Sequence, residues 1–531
     1  MSRLGQCVAG LFGVWVMCVF SPSSALAYTY PWSDVPIFDW WYRSPPGQPT
    51  NLVVGISFVP HAGHDYSASN AACINAYTYQ FTNNLPVSLI LRDTAGPFSG
   101  TNEVQRNTLL ASLDLVPRLD FAIGSFESLL KYDDTLLMVQ QVRAHTNALV
   151  NTARIGNYAF FPGSNDVSRP WPHMIVRTND DTFYLASGLD AAMPNCHPYE
   201  YYEVHTRTGV WGTNVAPNKP AALFWAPLER LSMVMRSLPS GHITIPFISD
   251  FGPSDSYDAP PPTREDCSAL LKHLRLRGSY GYFMVQMGET VDYEQYMVWA
   301  WHDMDWLLNT VATPVVLTLD TVKSTGVQWS GMQAGSNIVF MLSNLGNSNV
   351  TIALPAALGV PTVSATILTG QHHEVYYIWD ASTVATNAIQ LGRDGNLVAL
   401  YANRDGAFAK DISVRSNGTG EVCIGTDLSG VYTSVFSGEL TLNRAVTLHG
   451  TADGGTVFSG RITGTPGVLS IKGAGPVLLS NASNDFQGAV VVADIGATLQ
   501  IGSTGALGQA TAITIATGAT LDVSALTNGL L

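Results

Sequence analysis

Residues 241–288 read as strand, long helix, strand, and that order restricts what the chain can become more than any other stretch. GHITIPFISDFG (241–252) is an apolar, β-branched run that stops at a carboxylate, Asp250. TREDCSALLKHLRLRGSYGYFMVQMG (263–288) then supplies an amphipathic helix and a second apolar run. Two strands separated by a helix of that length run parallel, joined by a crossover. A parallel sheet needs helices over it, and Asp250 falls where its strand gives way to loop. That edge is where barrel enzymes keep their chemistry.

The same alternation extends on both sides. Apolar runs occur at 51–60, 86–93, 118–126, 154–163, 189–198, 242–250 and 279–288, and helical patterns at 102–115, 135–152, 219–238 and 292–311. PHMIVRT (172–178) supplies an eighth strand. Eight strand and helix units over 51–313 predict an α/β fold, a (β/α)8 barrel. A doubly wound sheet is the rival, but no G-x-G-x-x-G or P-loop follows any run.

Upstream, residues 1–27 have the features of a signal peptide: Arg3, an apolar core over 8–20, and Ser24-Ala25-Leu26-Ala27 as an A-x-A-like cleavage site. The mature protein is therefore expected to be secreted or displayed at the cell surface. Residues 28–50, rich in Trp and Pro, read as an irregular lead-in packed on the next domain. The formal net charge of -14 argues against nucleic acid or anionic membrane as a partner. Cys73, Cys196, Cys267 and Cys423 remain after cleavage without C-x-x-C spacing, which leaves their pairing open and disfavours a zinc ribbon.

After residue 313 the texture changes to short strands separated by Gly, Asn and Pro, which predicts a β-sandwich over 314–403. From 404 to 531 the chain is rich in Gly, Ser, Thr and Val, and GATLQI (496–501) recurs as GATLDV (518–523), a spacing of 22 residues. That is about one coil of a parallel β-helix. GPVLLSNASNDFQGAVVVADIGATLQIGSTGALG (475–508) resembles the passenger-associated repeat of bacterial autotransporters. The elements that carry the resemblance are the strand 475–479, the turn 484–488 and the strand 496–502, with looser echoes at 437–450 and 456–473. The resemblance implies a bacterial exported or surface protein.

Glycoside hydrolysis needs two carboxyl groups facing one bond, one protonated and one ionised. Ranked by position past strand ends, Asp250 comes first, as nucleophile or base. Glu200 or Glu203, in the loop HPYEYYEVH (197–205), is its expected proton donor. His197, Tyr199, Tyr202 and His205 of that loop suit sugar recognition, since flat rings stack on pyranose faces. Glu289 follows the last strand, and His61 and His64 with Asp65 follow the first, so that Glu289 and the pair His61 and His64 at the pocket rim are expected to bind substrate. Barrel and sandwich together resemble a secreted TIM-barrel glycoside hydrolase acting on a polysaccharide or glycan, with no cofactor required. The alternatives are a non-catalytic adhesin or carbohydrate-binding protein on a β-helix stalk, and a zinc-dependent deacetylase or amidohydrolase using His61 and His64. His372-His373-Glu374 reads as surface, and Asp303 and Asp305 as the solvated face of a helix.

Overall fold

A computed structural model of the 531-residue chain describes residues 36–39, 53–56, 88–92, 113–114, 118–125, 132–158, 184, 186–194, 196, 221–249, 264–285, 300–317, 327–344, 348–353, 364–367, 371–384, 388–427 and 432–527. The expected signal peptide, the run 172–178 and Cys73 lie outside these residues. Elements are numbered in chain order.

Nine short strands form two sheets in which every recorded pairing is parallel. β1 (Pro36–Asp39), β2 (Val53–Ile56), β8 (Phe247–Ser249) and β9 (Tyr282–Val285) lie in the order β2-β1-β9-β8. β3 (Ser88–Arg92), β4 (Phe121–Ser125), β5 (Arg154–Tyr158), β6 (Ala191–Met193) and β7 (Ile243–Thr244) lie in chain order. Each of the seven expected apolar runs carries a strand. The lead-in does not stay irregular: its PIFD segment is β1, inserted between β2 and β9.

Among the described residues these strands are accompanied by the helices α1 (Tyr132–Ala144), α2 (Ala148–Asn151), α3 (Ala221–Ser237), α4 (Arg264–Leu276) and α5 (Asp305–Leu308). α4 explains much of the core. Leu270, Leu271, Leu274 and Leu276 are buried with Leu228 and Leu231 of α3 and with Tyr282 of β9. Burying one such side chain contributes about 1.5–3 kcal/mol. The first turn of α4 carries Glu265 and Asp266 and its last turn His273 and Arg275, matching the helix dipole at both ends.

Residues from 315 onward build one sheet of ten strands. It starts with antiparallel β10 (Val315–Val316), β11 (Val327–Ala334), β12 (Asn337–Asn344) and β15 (His372–Ile378). β13 (Val350–Ala353) and β14 (Ser364–Ile367) form a separate antiparallel pair. β15 then pairs parallel with β17 (Leu397–Ala402), and the sheet continues through β20 (Val422–Gly425), β23 (Val446–His449), β26 (Gly467–Lys472), β28 (Gln487–Val492) and β30 (Gln509–Ile515). No separate sandwich closes at 403 among the described residues, because the backbone ladder crosses that position unbroken.

Two further parallel sheets complete a β-solenoid of about six turns. One is β16 (Ala388–Leu391), β19 (Asp411–Val414), β22 (Leu440–Leu442) and β25 (Ile462–Gly464). The other is β18 (Gly406–Phe408), β21 (Thr433–Phe436), β24 (Gly455–Phe458), β27 (Pro476–Leu479), β29 (Thr498–Ile501) and β31 (Thr520–Asp522). Strands such as β21, β24, β27 and β29 bury every second residue, so one file of side chains points into the coil. In that file Phe436 stacks on Phe458 with centroids 5.0 Å apart, and Phe408 packs tilted against Phe436 at 5.5 Å.

The repeat has a visible cause. Asn484 accepts from the Ile462 amide at 2.8 Å and donates to the Ala506 carbonyl at 2.6 Å, tying one coil to those on either side. Gly496 and Gly518, which open the two GAT turns, adopt φ of +85° and +81°, a region that side chains disfavour. The Gly475 backbone sits so close to Thr451 that a Cβ would strike its carbonyl oxygen.

Candidate functional site

In each of the two parallel sheets the edge at which the strands end is set by backbone register. Ser249 pairs with Val285, Asp39 pairs with both Ile56 and Met284, and Tyr158 pairs with Met193. Asp250 is the residue after β8, while the segment 197–205 follows β6 and Glu289 follows β9. Asp250, Glu200, Glu203, His197, Tyr199, Tyr202, His205, His61, His64 and Glu289 all lie outside the described residues. Asp39 ends β1 on the same edge, and sequence reasoning passed over it because 28–50 read as lead-in.

The opposite edge is built for stability. Asp190, just before β6, accepts from the Ile155 amide at 2.5 Å and from Arg143 at 2.5 Å. Burial lifts its carboxyl above the ordinary value despite those bonds and the Arg143 charge. Tyr184 and His242 meet through Oη and Nδ1 at 3.0 Å.

The densest chemistry among the described residues lies where α4 and the segment 300–308 meet the antiparallel strands. Lys272, 1% exposed, ion-pairs with Glu374 of β15, with Asp303 at 3.2 Å and with Asp394 at 3.8 Å. Asp303 also takes the Arg393 Nε–H at 3.0 Å. Ser268 donates to Asp394 at 2.7 Å, and Tyr376 donates to Glu374. Burial disfavours the Lys272 charge, but Glu374, Asp394 and Asp303 together lift it above its usual value. Burial pushes Asp303 up, yet Lys272 and Arg393 outweigh it and hold the carboxyl low. At Glu374 burial prevails over Lys272 and the carboxyl is raised.

A second chain of polar groups runs beside the first. Asp266 meets His372 Nε2 at 3.0 Å, and His372 Nδ1 meets Ser343 at 2.7 Å. Ser343 meets His273 Nε2 at 2.8 Å, and His273 Nδ1 meets Ser330 at 2.9 Å. Arg277 donates to Ser330 at 2.8 Å and to Ser232 at 2.5 Å. With the His273 proton on Nε2, Ser343 accepts from it, while Ser330 accepts from Arg277 and donates to His273 Nδ1. Burial first, then the Arg277 charge and His372, push His273 well below its ordinary value, which supports the neutral form.

Two expectations are overturned here. His372, His373 and Glu374 are not surface but 6%, 6% and 3% exposed. Asp303 does not face solvent either: its side chain is 9% exposed and paired with Lys272 and Arg393. Asp305 is partly exposed and bound to Arg275 and His302. In both clusters acid, base and hydroxyl are matched to one another, which makes them a brace between the helices and the strands.

Cys196, Cys267 and Cys423 are buried. No group of three or more His, Cys, Asp or Glu among the described residues is arranged to hold a metal ion. No described helix is long and apolar enough to cross a membrane.

No family model and no curated protein matches the chain. Solved structures do, at a distance. A family 27 β-L-arabinopyranosidase from Geobacillus stearothermophilus, bound to arabinose, is 10% identical, with a TM-score of 0.36, over 63% of this chain and 85% of that one. A family 30 endoxylanase from Clostridium papyrosolvens is 9% identical, with a TM-score of 0.30, over 57% and 83%. A conserved exported protein from Bacteroides fragilis is 11% identical, with a TM-score of 0.30, over 57% and 77%. These neighbours are glycoside hydrolases and an exported protein, and a likeness this distant assigns no family.

Proposed function

We propose that the chain is a secreted or surface glycoside hydrolase whose two parallel sheets are arcs of one (β/α)8 barrel. What supports the barrel is order: β7 and β8 are separated only by Ile245 and Pro246, β2 lies against β3, and β9 pairs with β1, so the strands follow the chain around a ring. The observation that carries the functional reading is the shared edge. β6 pairs with β7 and β8 with β9, so the segments bearing Glu200 and Glu203, Asp250 and Glu289 leave neighbouring strand ends in one direction. In this reading Asp250 is nucleophile or base, and Glu200 or Glu203 protonates the leaving oxygen. His197, Tyr199, Tyr202, His205, His61 and His64 line the sugar site.

The test is hydrolysis of a panel of plant and bacterial polysaccharides by the purified chain. Asp250→Asn, and Glu200→Gln or Glu203→Gln, should each lower kcat by about 10²–10⁴-fold while the chain stays folded. Turnover by Asp250→Asn at the wild-type rate sinks the assignment. A second reading, a carbohydrate-binding protein displayed on a stalk, is favoured by the solenoid itself. It predicts glycan binding without cleavage in both wild type and Asp250→Asn.

A further inference from the structure

One corner of the solenoid carries arginines on successive coils. Leu391 pairs with Val414 and Val414 with Leu442, so Arg393, Arg415 and Arg444 follow the same strand edge on three rungs. Their situations differ. Arg444 is a clasp: its Nε donates to the Arg415 carbonyl at 3.0 Å, one Nη to the Gly392 carbonyl at 3.1 Å, and the other to the Gly420 carbonyl. Arg393 is held on Asp303 at 3.0 Å. Arg415 is half-buried, its Nε is shielded from solvent, and its guanidinium meets no acceptor among the described residues.

A shielded guanidinium nitrogen without an acceptor costs free energy, and such an orphan in a well-ordered turn calls for a missing partner. Burial and then the like charge of Arg393 push the Arg415 guanidinium down to about 10. Asp303 is the described carboxylate that acts on it, but that group is already shared by Lys272 at 3.2 Å and Arg393 at 3.0 Å. Arg444 clamps the Arg415 carbonyl and the Arg415 amide is bound to Leu391, which fixes the backbone from which the side chain leaves.

We propose that Arg415, with Arg393 beside it, forms a subsite for an oxyanion: the carboxylate of an acidic sugar or a sulfate group. The planar fork of a guanidinium matches both, and a bound anion offsets the repulsion between the two arginines. The site lies on the solenoid beside its junction with α4 and the segment 300–308. That the anion arrives on a glycan rests on the proposed function; the anion site does not.

Binding of inorganic sulfate and of D-galacturonate to the full chain, measured by calorimetry at constant ionic strength against chloride, tests this. Saturable binding of sulfate alone identifies a tetrahedral group, binding of galacturonate alone a sugar carboxylate, and binding of both any oxyanion. Arg415→Gln should weaken binding by about tenfold or more. Without ligand Arg415→Gln should melt at or above the wild-type temperature, by up to about 2 °C, because an uncompensated charge has gone. If Arg415→Gln does not fold, Arg415→Lys takes its place, and loss of the fork should weaken binding several-fold. The proposal is overturned if neither probe binds the wild type in preference to chloride, or if the Arg415 variant binds as the wild type does. Because the readout is binding, failure of the hydrolysis assay leaves this result independent.

Discussion

Replacing Lys272 by methionine keeps the length of the side chain and removes one buried charge. Three carboxylates lie within ion-pair distance of that charge, and they are not equally exposed to its loss. Asp303 keeps Arg393, and Asp394 keeps Ser268 and the side chain and amide of Asn396. Glu374 keeps only the Tyr376 hydroxyl in this cluster. The cost therefore concentrates on one stranded carboxylate, about 3–5 kcal/mol for breaking a buried pair. With a urea m value of about 3 kcal/mol/M, the midpoint of the transition that loses this junction falls by about 1–1.7 M. Trp306 reports on that transition, since its ring lies 4.8 Å from that of Tyr376. Neutralising the stranded group in the same chain, as Lys272→Met with Glu374→Gln, should recover more than half of the loss. A single variant within about 1 kcal/mol of wild type, or a double variant no better than the single, refutes the reasoning.

Acid should weaken the same junction. Burial, then Arg277 and His372, hold His273 neutral, and burial, then His372, push His373 down to about 4. Both folded values lie below the unfolded one of about 6.5, so the unfolded chain takes up protons first as pH falls. The contribution of these two histidines is constant above about pH 7 and is lost from about pH 6.5 toward 4, at up to about 1.4 kcal/mol per pH unit for each; His373→Gln should reduce the loss over that range, and a variant profile identical to that of the wild type contradicts it. In the solenoid, Asn484→Ala strands the Ile462 amide and the Ala506 carbonyl, about 1–3 kcal/mol each, and should speed hydrogen exchange at Ile462; unchanged exchange rules this out. Phe436→Ala opens the aromatic file between Phe408 and Phe458 and should cost about 3–5 kcal/mol in solenoid unfolding, against under about 1 if the coil collapses onto the gap.

How far the sequence could be read depended on what each residue faces. The seven apolar runs and the helix at 263–276 were legible because burial against their own neighbours leaves a periodic trace. The 22-residue coil was legible because identical turns recur, down to side-chain pairs such as Gln487 and Gln509 at a separation of 22. β1 was not, because four residues between Trp and Pro carry no period. His372 and Glu374, which read as surface, were misread for a different reason. Lys272 and Asp266 stand on the helix as solvated charges do, and their partners Glu374 and His372 come from 102 and 106 residues away. A glutamate inside HHEVYYI was the available signal, since a strand that places Glu374 among Val375, Tyr376 and Tyr377 needs a cation to meet it. Asp250 and its expected partners remain a reading of strand ends.

The ten-stranded sheet also sets how the molecule carries load. From β10 to β30 its strands are joined by backbone hydrogen bonds across about 43 Å, with no linker in the ladder. Such a plate behaves as a strut. Torsion applied at the last coil is passed strand by strand to β11 and β12, and from there through Lys272 and His273 into α4. Whatever the far coils rest against, the parallel sheets are held at a fixed attitude to it.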